Sequence, residues 1–340
     1  EILLPMRELN QMRRRAVEQL EAERKKPRRY TNHRGVDVYA DAEPVRFERL
    51  TEAHAPQLKA LCRSMEQVEA AAQFGLEWIY ADFEFIKQYP AAVELVRKYG
   101  KKIALASPRI HMPGETGYFN MIAKLEPDAV LVRNTGAVYF YMKRRFEQPG
   151  EHQPLLIGDF SLNVANHKTV RLFREAGCDW ITPSYDLNIQ QMVDLLERSD
   201  TSALEVVIHQ HLPMFHTEHC VYCTFLSEGT DYTNCGRPCE QHRVSLQDRI
   251  GMSHPVRVDD GCRNTVYNAI EQSGSEYLAN FLELGVRSFR VEFLEESAEK
   301  VREVLGLYTK ALSGEISGTQ VWRTLKATNQ LGVTRGQLVK

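Results

Sequence analysis

No run of 18 apolar residues occurs in the sequence and no signal peptide opens it, which argues against a transmembrane helix. Three catalytic signatures are also missing, namely HExxH, GxSxG and the P-loop, so nothing indicates a zincin, an α/β-hydrolase or a P-loop enzyme. Apolar residues make up 43% and charged residues 26% of the 340-residue chain, which excludes intrinsic disorder. We therefore expect a globular protein of the cytoplasm, or of a plastid if the source is a plant, without membrane contact.

The formal net charge of −2 conceals two basic ends. Residues 1–35 carry ten Lys or Arg against five Asp or Glu, and residues 317–340 carry four Lys or Arg and no acid. The residues between them therefore hold a net charge of −11. Basic ends on an acidic body are typical of contact with a polyanion such as RNA, or with a partner domain. Two solvated termini would give the same composition.

Short β-rich apolar runs recur at intervals of 24 to 27 residues, with helix-like stretches between them. Gly75, Gly100 and Gly177 end three of these stretches, as expected where a helix terminus needs positive φ. Repeated strand–helix units give parallel strands, and six of them favour an α/β fold of the (β/α) TIM-like barrel type, complete or incomplete. The absence of a Gly-rich fingerprint argues against a dinucleotide-binding sheet. The runs are centred on Ile79, Ala104, Leu131, Ile157, Ile181 and Val207.

A long interval interrupts this repeat before its last strand. Between Val207 and Phe289 lie 81 residues, about three times the usual spacing, and they include five of the seven cysteines. Active sites of barrels lie at the C-terminal ends of the strands, where such an insertion would be placed. The predicted organisation is a basic N-terminal helix and linker at 1–35, a barrel at 36–212 and 285–312, a cysteine-rich metal-binding insertion at 213–284, and a basic tail at 313–340.

The spacing of the clustered cysteines indicates a metal site. Two residues separate Cys220 from Cys223, three separate Cys235 from Cys239, and Cys262 follows after 22 more. Nothing indicates secretion, so a disulfide framework is not expected. Thiolates select zinc or an iron–sulfur cluster, and the spacing leaves both open. An all-cysteine zinc site would be structural.

Polar residues follow the predicted strands at the end where barrels hold their sites. His209 and His211 alternate with Val207, so they share a face and are expected to point into the mouth. Helix capping is the alternative role for Asp159 and Asp186. From position and chemistry, the predicted catalytic residues are His209, His211, Asp82, Arg109, Arg133 and Glu292.

Several sequence blocks occur in an order that resembles the collagenase-like peptidase U-32 family: HCVYC, NCGRPC, GCRNTVYN and LGVRSFRVEF. The resemblance extends from about residue 36 to residue 310. The two basic ends are similar to those of the large two-module members of this family. The resemblance therefore implies that this chain is a C-terminal module that follows a first module in a longer protein, and Glu1 as first residue agrees with a fragment or a processed chain.

The resemblance implies a chemistry other than proteolysis. Family members bind a [4Fe–4S] cluster through four cysteines and support oxygen-independent hydroxylation of ubiquinone precursors or RNA. The two-module form is similar to the ribosomal RNA cytidine hydroxylase, with prephenate as the oxygen donor. The family's ligands map onto Cys220, Cys223, Cys235 and Cys262, with Cys239 as an alternative ligand.

Two features of an RNA hydroxylase can be assigned only by charge and location. The dicarboxylate of prephenate would need a cation, for which the candidates are Arg109, Arg133 and Arg290. An extruded base would need an aromatic side chain, for which the candidates are Tyr185, Phe160 and Phe215. Two other functions remain open: a collagenase-like metal-dependent peptidase, and a non-catalytic RNA-binding module with structural zinc.

Overall fold

The computed structural model describes residues 5–27, 49–51 and 54–329. The chain divides into two units, Glu1–Pro44 and Val45–Lys340. Residues 5–27 are the described part of the first unit, and they contain the helix α1 (Met6–Lys25), where a helix was predicted near the start; all of its residues are exposed. Across the described ranges, none of the helices is both long and apolar enough to span a membrane.

The described residues of the second unit form fourteen strands and ten further helices. In chain order the strands are β1 (Gln57–Cys62), β2 (Trp78–Ala81), β3 (Lys102–Ala106), β4 (Ala129–Val132), β5 (Leu155–Gly158), β6 (Trp180–Ile181), β7 (Glu205–Gln210), β8 (Pro213–Thr217), β9 (Val244–Gln247), β10 (Ser253–Val258), β11 (Asn264–Tyr267), β12 (Gln272–Ser273), β13 (Ser288–Glu292) and β14 (Thr328–Asn329). The helices are α2 (Met65–Phe74), α3 (Tyr89–Lys98), α4 (Thr116–Lys124), α5 (Thr135–Glu147), α6 (His167–Glu175), α7 (Ile189–Glu197), α8 (Val221–Leu226), α9 (Leu278–Glu283), α10 (Ala298–Leu312) and α11 (Gly318–Leu325).

Eight strands form a curled parallel sheet in the order β7-β13-β1-β2-β3-β4-β5-β6. A parallel bridge between Ile181 of β6 and Leu204, the residue before β7, joins the two edges of this sheet. The α/β fold with parallel strands and helical crossovers, predicted from the repeat, is thereby confirmed. Strand β12 runs antiparallel beside the end of β7, and β14 runs parallel to β12.

Strand β1 was not predicted by the apolar repeat. Its sequence, QLKALC, contains a lysine at an inner position and is short. It nevertheless lies in the middle of the sheet, because it pairs with β13 on one side and with β2 on the other. The first and last strands of the parallel sheet are therefore neighbours.

Short loops with capping residues connect the strands to the helices that cover them. The side chains of Asn134, Asn166 and Asn188 each accept a hydrogen bond from the third residue of α5, α6 and α7, which stabilises those helix starts. Asn188 caps α7, so the capping role considered for the exposed Asp186 is not found. The outer face of the sheet packs its aliphatic side chains against the helices in one large core.

Residues 213–267 form a second sheet, which is antiparallel and has the order β8-β11-β10-β9. Helix α8 packs on it through the buried Tyr222, whose hydroxyl donates to the carbonyl of Val256 at 2.9 Å. The predicted insertion at 213–284 is longer than this small sheet. Strand β12 pairs with β7, and α9 contributes Leu278 and Phe281 to the large core.

Part of the predicted basic tail packs on the barrel. Helix α11 begins with a capping box between Ser317 and Gln320 and buries Val321 and Leu325. Residues 313–329 of the predicted basic tail are thus packed structure. Residues 330–340, and most of the predicted linker after α1, lie outside the described residues.

Candidate active site

Charged side chains occupy part of the barrel interior. Lys59 of β1 and Glu205 of β7 are fully buried, and the Lys59 Nζ lies 2.9 Å from a Glu205 carboxylate oxygen. Glu205 also accepts hydrogen bonds from the Tyr80 hydroxyl at 2.7 Å and from Arg290 at 2.9 Å. Burial lowers the pKa of Lys59, and the Glu205 carboxylate offsets part of that effect. Such pairing is required because an unpaired charge in this interior would cost several kcal/mol.

The network continues toward the C-terminal ends of the strands with alternating sign. Arg290 lies 2.6 Å from Asp159, Asp159 lies 2.8 Å from Arg133, and Arg133 lies 2.6 Å from Asp82. Burial by itself would raise the pKa of Asp159, but the guanidinium groups of Arg290 and Arg133 lower it to about 2. Its side chain makes no cap hydrogen bond, so ion pairing and not capping is its role.

Arg63 and Glu292 close this network. Arg63 lies 3.1 Å from both Asp82 and Glu292, and Glu292 lies 3.0 Å from Arg290. The Tyr185 hydroxyl donates to Glu292 at 2.5 Å. The charges balance, because four cations face four acids: Lys59, Arg63, Arg133 and Arg290 against Asp82, Asp159, Glu205 and Glu292.

A cavity, which we call the mouth cavity, opens above the network at the C-terminal ends of the strands. The small sheet contributes His216, Arg257 and Tyr267 to its wall. Arg63 and Phe160 lie on the barrel side. Four of the six predicted catalytic residues line it, namely Asp82, Arg109, Arg133 and Glu292.

Arg109 differs from the other arginines of the mouth cavity. Within the described part of the chain its guanidinium has no carboxylate partner within 4 Å, whereas Arg133 pairs with two acids. The Arg109 guanidinium lies 5.1 Å from the ring centre of Phe160, which stacks on Tyr185 at 4.1 Å and 7°. Burial and the charge of Arg133 lower the pKa of Arg109. Arg109 is therefore the cation of this wall that is available to an anionic ligand.

Arg290 and Arg133 are less suited to binding a ligand than the sequence indicated. Arg290 is completely buried and does not line the cavity. Arg133 reaches the cavity, but its guanidinium N–H groups already donate hydrogen bonds to Asp82 and Asp159. Both arginines hold the acids of the barrel interior in place.

The structure places His209 and His211 away from the mouth cavity. The pairing of β7 with β13 shifts register between Arg290 and Val291, which interrupts the alternation expected along β7. His209 instead packs against Tyr308 of α10, with its Nδ1 3.4 Å from the hydroxyl, and burial lowers its pKa to about 4. The prediction that both histidine rings point into the mouth is therefore wrong.

A third histidine, His216, does line the mouth cavity. Its Nδ1 lies 2.9 Å from the Thr265 hydroxyl, and its buried Nε2 has no hydrogen-bond partner among the described residues. Burial, and then the positive charges of Arg109, Arg263 and Arg133, lower its pKa to about 4. His216 therefore presents a neutral imidazole at neutral pH.

All five clustered cysteines line a second cavity, which we call the thiol cavity. At the start of α8 the backbone N–H of Cys223 points to the Cys220 sulfur at 3.5 Å. Burial, and then the neighbouring thiols of Cys220, Cys239 and Cys235, raise the pKa of Cys262 to about 11. Thiolates crowded in this way repel one another unless a cation binds them, so the donor set suits a thiolate-bound metal group.

The other two cysteines do not belong to the thiol cavity. Cys62 and Cys178 are buried in the large core and line neither cavity. Burial raises the pKa of the Cys178 thiol to about 12, and it also raises the pKa of Cys62. Both behave as inert core thiols.

A shared wall separates the two cavities. Val258, Asp259 and Asp260, at and just after the end of β10, line both of them. Asp259 accepts the backbone N–H groups of Gly261 and Arg263, each at 2.9 Å, and burial raises its pKa to about 6. The thiol cavity and the mouth cavity are therefore adjacent, with a carboxyl group between them.

Three residues of the charge network were not singled out from the sequence: Lys59, Arg63 and Glu205. Lys59 interrupts the otherwise apolar run LKALC, and Glu205 interrupts the otherwise apolar run LEVVIH. A charge at an inward position of such a strand is the signal that identifies them, since lone charges there need a partner.

Comparison with known proteins supports the sequence resemblance. A family model described as Peptidase family U32 matches residues 63–336, which is most of the chain. No curated protein matches the chain.

Three of the solved structures that match this chain are 8% to 12% identical to it in sequence. The U32 peptidase Mk0906 is 12% identical with a TM-score of 0.41, and the match covers 75% of this chain and 98% of that chain. A ligand-free mutant form of tryptophan synthase from M. tuberculosis is 10% identical with a TM-score of 0.42, over 77% of this chain and 93% of that chain. Thiamine phosphate pyrophosphorylase from Pyrococcus furiosus is 8% identical with a TM-score of 0.39, over 77% of this chain and 97% of that chain.

Proposed function

We propose, from the premise that this chain belongs to peptidase family U32, that it is an iron–sulfur enzyme that hydroxylates RNA without oxygen. The observation that carries the proposal is the convergence of five cysteines on one cavity that shares a wall with the mouth cavity. A redox group held by the cysteines would thus lie beside the pocket in which a substrate binds. The substrate class, a ribosomal RNA cytidine, comes from the resemblance of the two-module form.

Thiolates are the preferred ligands of both iron–sulfur clusters and zinc, so the donor set of the thiol cavity is compatible with either group. We favour the [4Fe–4S] cluster because of the resemblance to the U32 family. The proposed ligands are Cys220, Cys223, Cys235 and Cys262, with Cys239 as the alternative ligand, and a bound cluster would supply one-electron redox chemistry.

The mouth cavity suits a small anionic co-substrate. Arg109 offers the guanidinium without an acid partner in the described residues, and it can form paired hydrogen bonds with a carboxylate. We assign to it the carboxylate of prephenate, the oxygen donor that the resemblance implies. His216 faces the same cavity as a neutral imidazole and can accept or donate one proton.

An RNA base would need an aromatic surface at the mouth. Phe160 lines the cavity and stacks on Tyr185 at 4.1 Å, so it is the stacking candidate that contacts Arg109. Phe215 is 59% exposed on β8, on the small sheet, where it can contact flanking nucleotides. The RNA backbone would be bound by the basic ends, of which α1 and α11 are the described parts.

The proposal is tested by an anaerobic absorption spectrum with iron, sulfide and zinc analysis of the purified chain. We expect a broad band near 400 nm, roughly where thiolate-to-iron charge transfer absorbs, and about four iron atoms per chain. Cys262→Ala should lose both, whereas the matched control Cys178→Ala should keep them because Cys178 is a core thiol. One zinc and no iron would contradict the proposal and favour an RNA-binding module with structural zinc.

Activity is tested separately by mass spectrometry of RNA. Ribosomal RNA incubated with the cluster-loaded protein and prephenate should gain the mass of one oxygen on a cytidine. Cleavage of gelatin or collagen by the same preparation, without RNA modification, would favour the collagenase-like peptidase instead. If the cluster is intact but RNA is not modified, the proposed substrate class is wrong and only the proposed cluster is supported.

A further inference from the structure

His211 and two glutamates form a cluster outside both cavities. His211 follows β7, Glu271 precedes β12, and Glu296 precedes α10. The His211 Nε2 lies 3.8 Å from Glu271 Oε1 and 3.6 Å from Glu296 Oε1. The three donor atoms all lie within 4.8 Å of one another. Three separate segments of the chain thus present one nitrogen and two oxygen donors to one point.

The hydrogen bonds of His211 fix which nitrogen faces the carboxylates. Its Nδ1 lies 2.7 Å from the carbonyl oxygen of Asn268, a partner that can only accept, so Nδ1 carries the hydrogen. A metal-binding histidine usually donates its other ring N–H to a carbonyl in this way. The Nε2 side of the ring faces two carboxylates, which attract a positive charge to this point, and a divalent cation can take the place of the proton on Nε2.

Glu296 provides an independent indication of a ligand. Its side chain is 7% exposed. One carboxylate oxygen accepts the backbone N–H of Leu294 at 2.5 Å, whereas the oxygen that faces His211 is buried without a hydrogen-bond partner in the described part of the chain. The 3.6 Å between His211 Nε2 and Glu296 Oε1 is too long for an N–H···O hydrogen bond. It is close to the spacing of about 3.4 Å between two ligands held tetrahedrally at about 2.1 Å from a metal ion.

We propose that His211, Glu271 and Glu296 bind one divalent transition-metal ion. One imidazole with two carboxylates suits Mn²⁺, Fe²⁺ or Zn²⁺ and disfavours Mg²⁺ and Ca²⁺, which take oxygen ligands. Glu271 is 24% exposed, so the ion can enter from solvent and keep water on its open positions. The ion would fasten the end of β7 to the segments that lead into β12 and α10. This site is independent of the thiol cavity and of the proposed function.

The test is a Mn²⁺ titration of the chelator-treated full chain, followed by electron paramagnetic resonance of the free ion. Mn²⁺ is chosen because it prefers oxygen and nitrogen to thiolates. We expect one bound ion per chain and an affinity at least about tenfold weaker in Glu271→Gln and in Glu296→Gln. The matched control Glu299→Gln, which removes an exposed carboxylate three residues from Glu296, should bind as the wild type does.

A Co²⁺ spectrum locates the ion by its ligands. Binding at the proposed site gives weak ligand-field bands that are absent from Glu271→Gln and present in Cys220→Ala. Glu271→Gln removes the most exposed ligand, so it keeps the test valid even if Glu296→Gln does not fold. The proposal is overturned if Mn²⁺ binds no tighter than about 1 mM, if Glu271→Gln binds as the wild type does, or if every Co²⁺ band is thiolate charge transfer.

Discussion

The replacement of Asp159 by Asn isolates the energetic role of the charge network. Asn has nearly the shape of Asp, so the change removes a charge without leaving a cavity. Asp159 is completely buried and faces two guanidinium groups, with Arg290 at 2.6 Å and Arg133 at 2.8 Å. In the variant these two cations lose the acid that lies between them, and the network keeps four positive charges against three negative ones.

Two estimates give the size of the effect at pH 7. Removing one partner of a buried ion pair costs about 3 to 5 kcal/mol. The pKa of Asp159, lowered from its ordinary value of 3.8 to about 2, corresponds to about 2 kcal/mol of stability. We therefore expect Asp159→Asn to lower the free energy of unfolding by about 2 to 4 kcal/mol.

The pH dependence gives an independent check of the same charge. Because the pKa is lowered in the folded protein, the contribution is fully present above pH 3.8 and is lost as the pH falls through about 2. The difference between wild type and variant should be constant from about pH 5 to about pH 8. By about pH 3 it should fall to about half, since the unfolded carboxyl is then mostly protonated.

Urea unfolding followed by circular dichroism measures these free energies at each pH. Asp186→Asn is the matched control, because Asp186 is exposed and pairs with no cation in the described residues. It should change stability by less than about 0.5 kcal/mol. A loss of that small size in Asp159→Asn as well, or an equal loss at low and neutral pH, would refute the ion-pair reasoning.

Three further predictions concern separate parts of the chain. Arg109→Gln should weaken prephenate binding at least about tenfold in calorimetric titration, because a charge-assisted hydrogen bond is lost; Arg171→Gln, on the exposed face of α6, should not. Asn188→Ala should lower the free energy of unfolding by about 1 kcal/mol, because it removes the capping box of α7. Tyr308→Phe should lower the free energy of unfolding by about 0.5 to 1.5 kcal/mol, because the carbonyl of Ile208 loses its 2.9 Å hydroxyl donor but keeps the backbone N–H of Gly274. Unchanged unfolding of either variant would contradict these assignments.

The parallel sheet could be predicted from the sequence because its strands are buried on both faces. Such strands appear as apolar runs, and six of them, from β2 to β7, lie where the repeat indicated. Strand β1 could not be found in this way. Its lysine interrupts the run, and only the pairing with Glu205, 146 residues later in the chain, makes Lys59 compatible with the interior.

The sequence predicted only those features of the site that depend on the local spacing of residues. The cysteine positions indicated a shared metal cavity, and all five do line one cavity. Strand ends indicated Asp82, Arg109, Arg133 and Glu292 at the mouth. Which of these is free to bind a ligand depends on ion pairs between distant strands. The orientation of His209 depends on a register shift between β7 and β13, which one strand's sequence does not reveal.

Strands β1 and β13 pair in the sheet although they lie far apart in the sequence, and this separation matters for folding during synthesis. Arg63 donates to the carbonyl of Phe293 at 2.7 Å across 230 residues of sequence. A ribosome needs about 10 to 50 s to add that many residues. During this interval β1 has one open hydrogen-bonding edge and lacks Glu205 for part of the time. A nascent chain that folded to this point would have an exposed strand edge and a buried lysine without its partner, two features that favour aggregation.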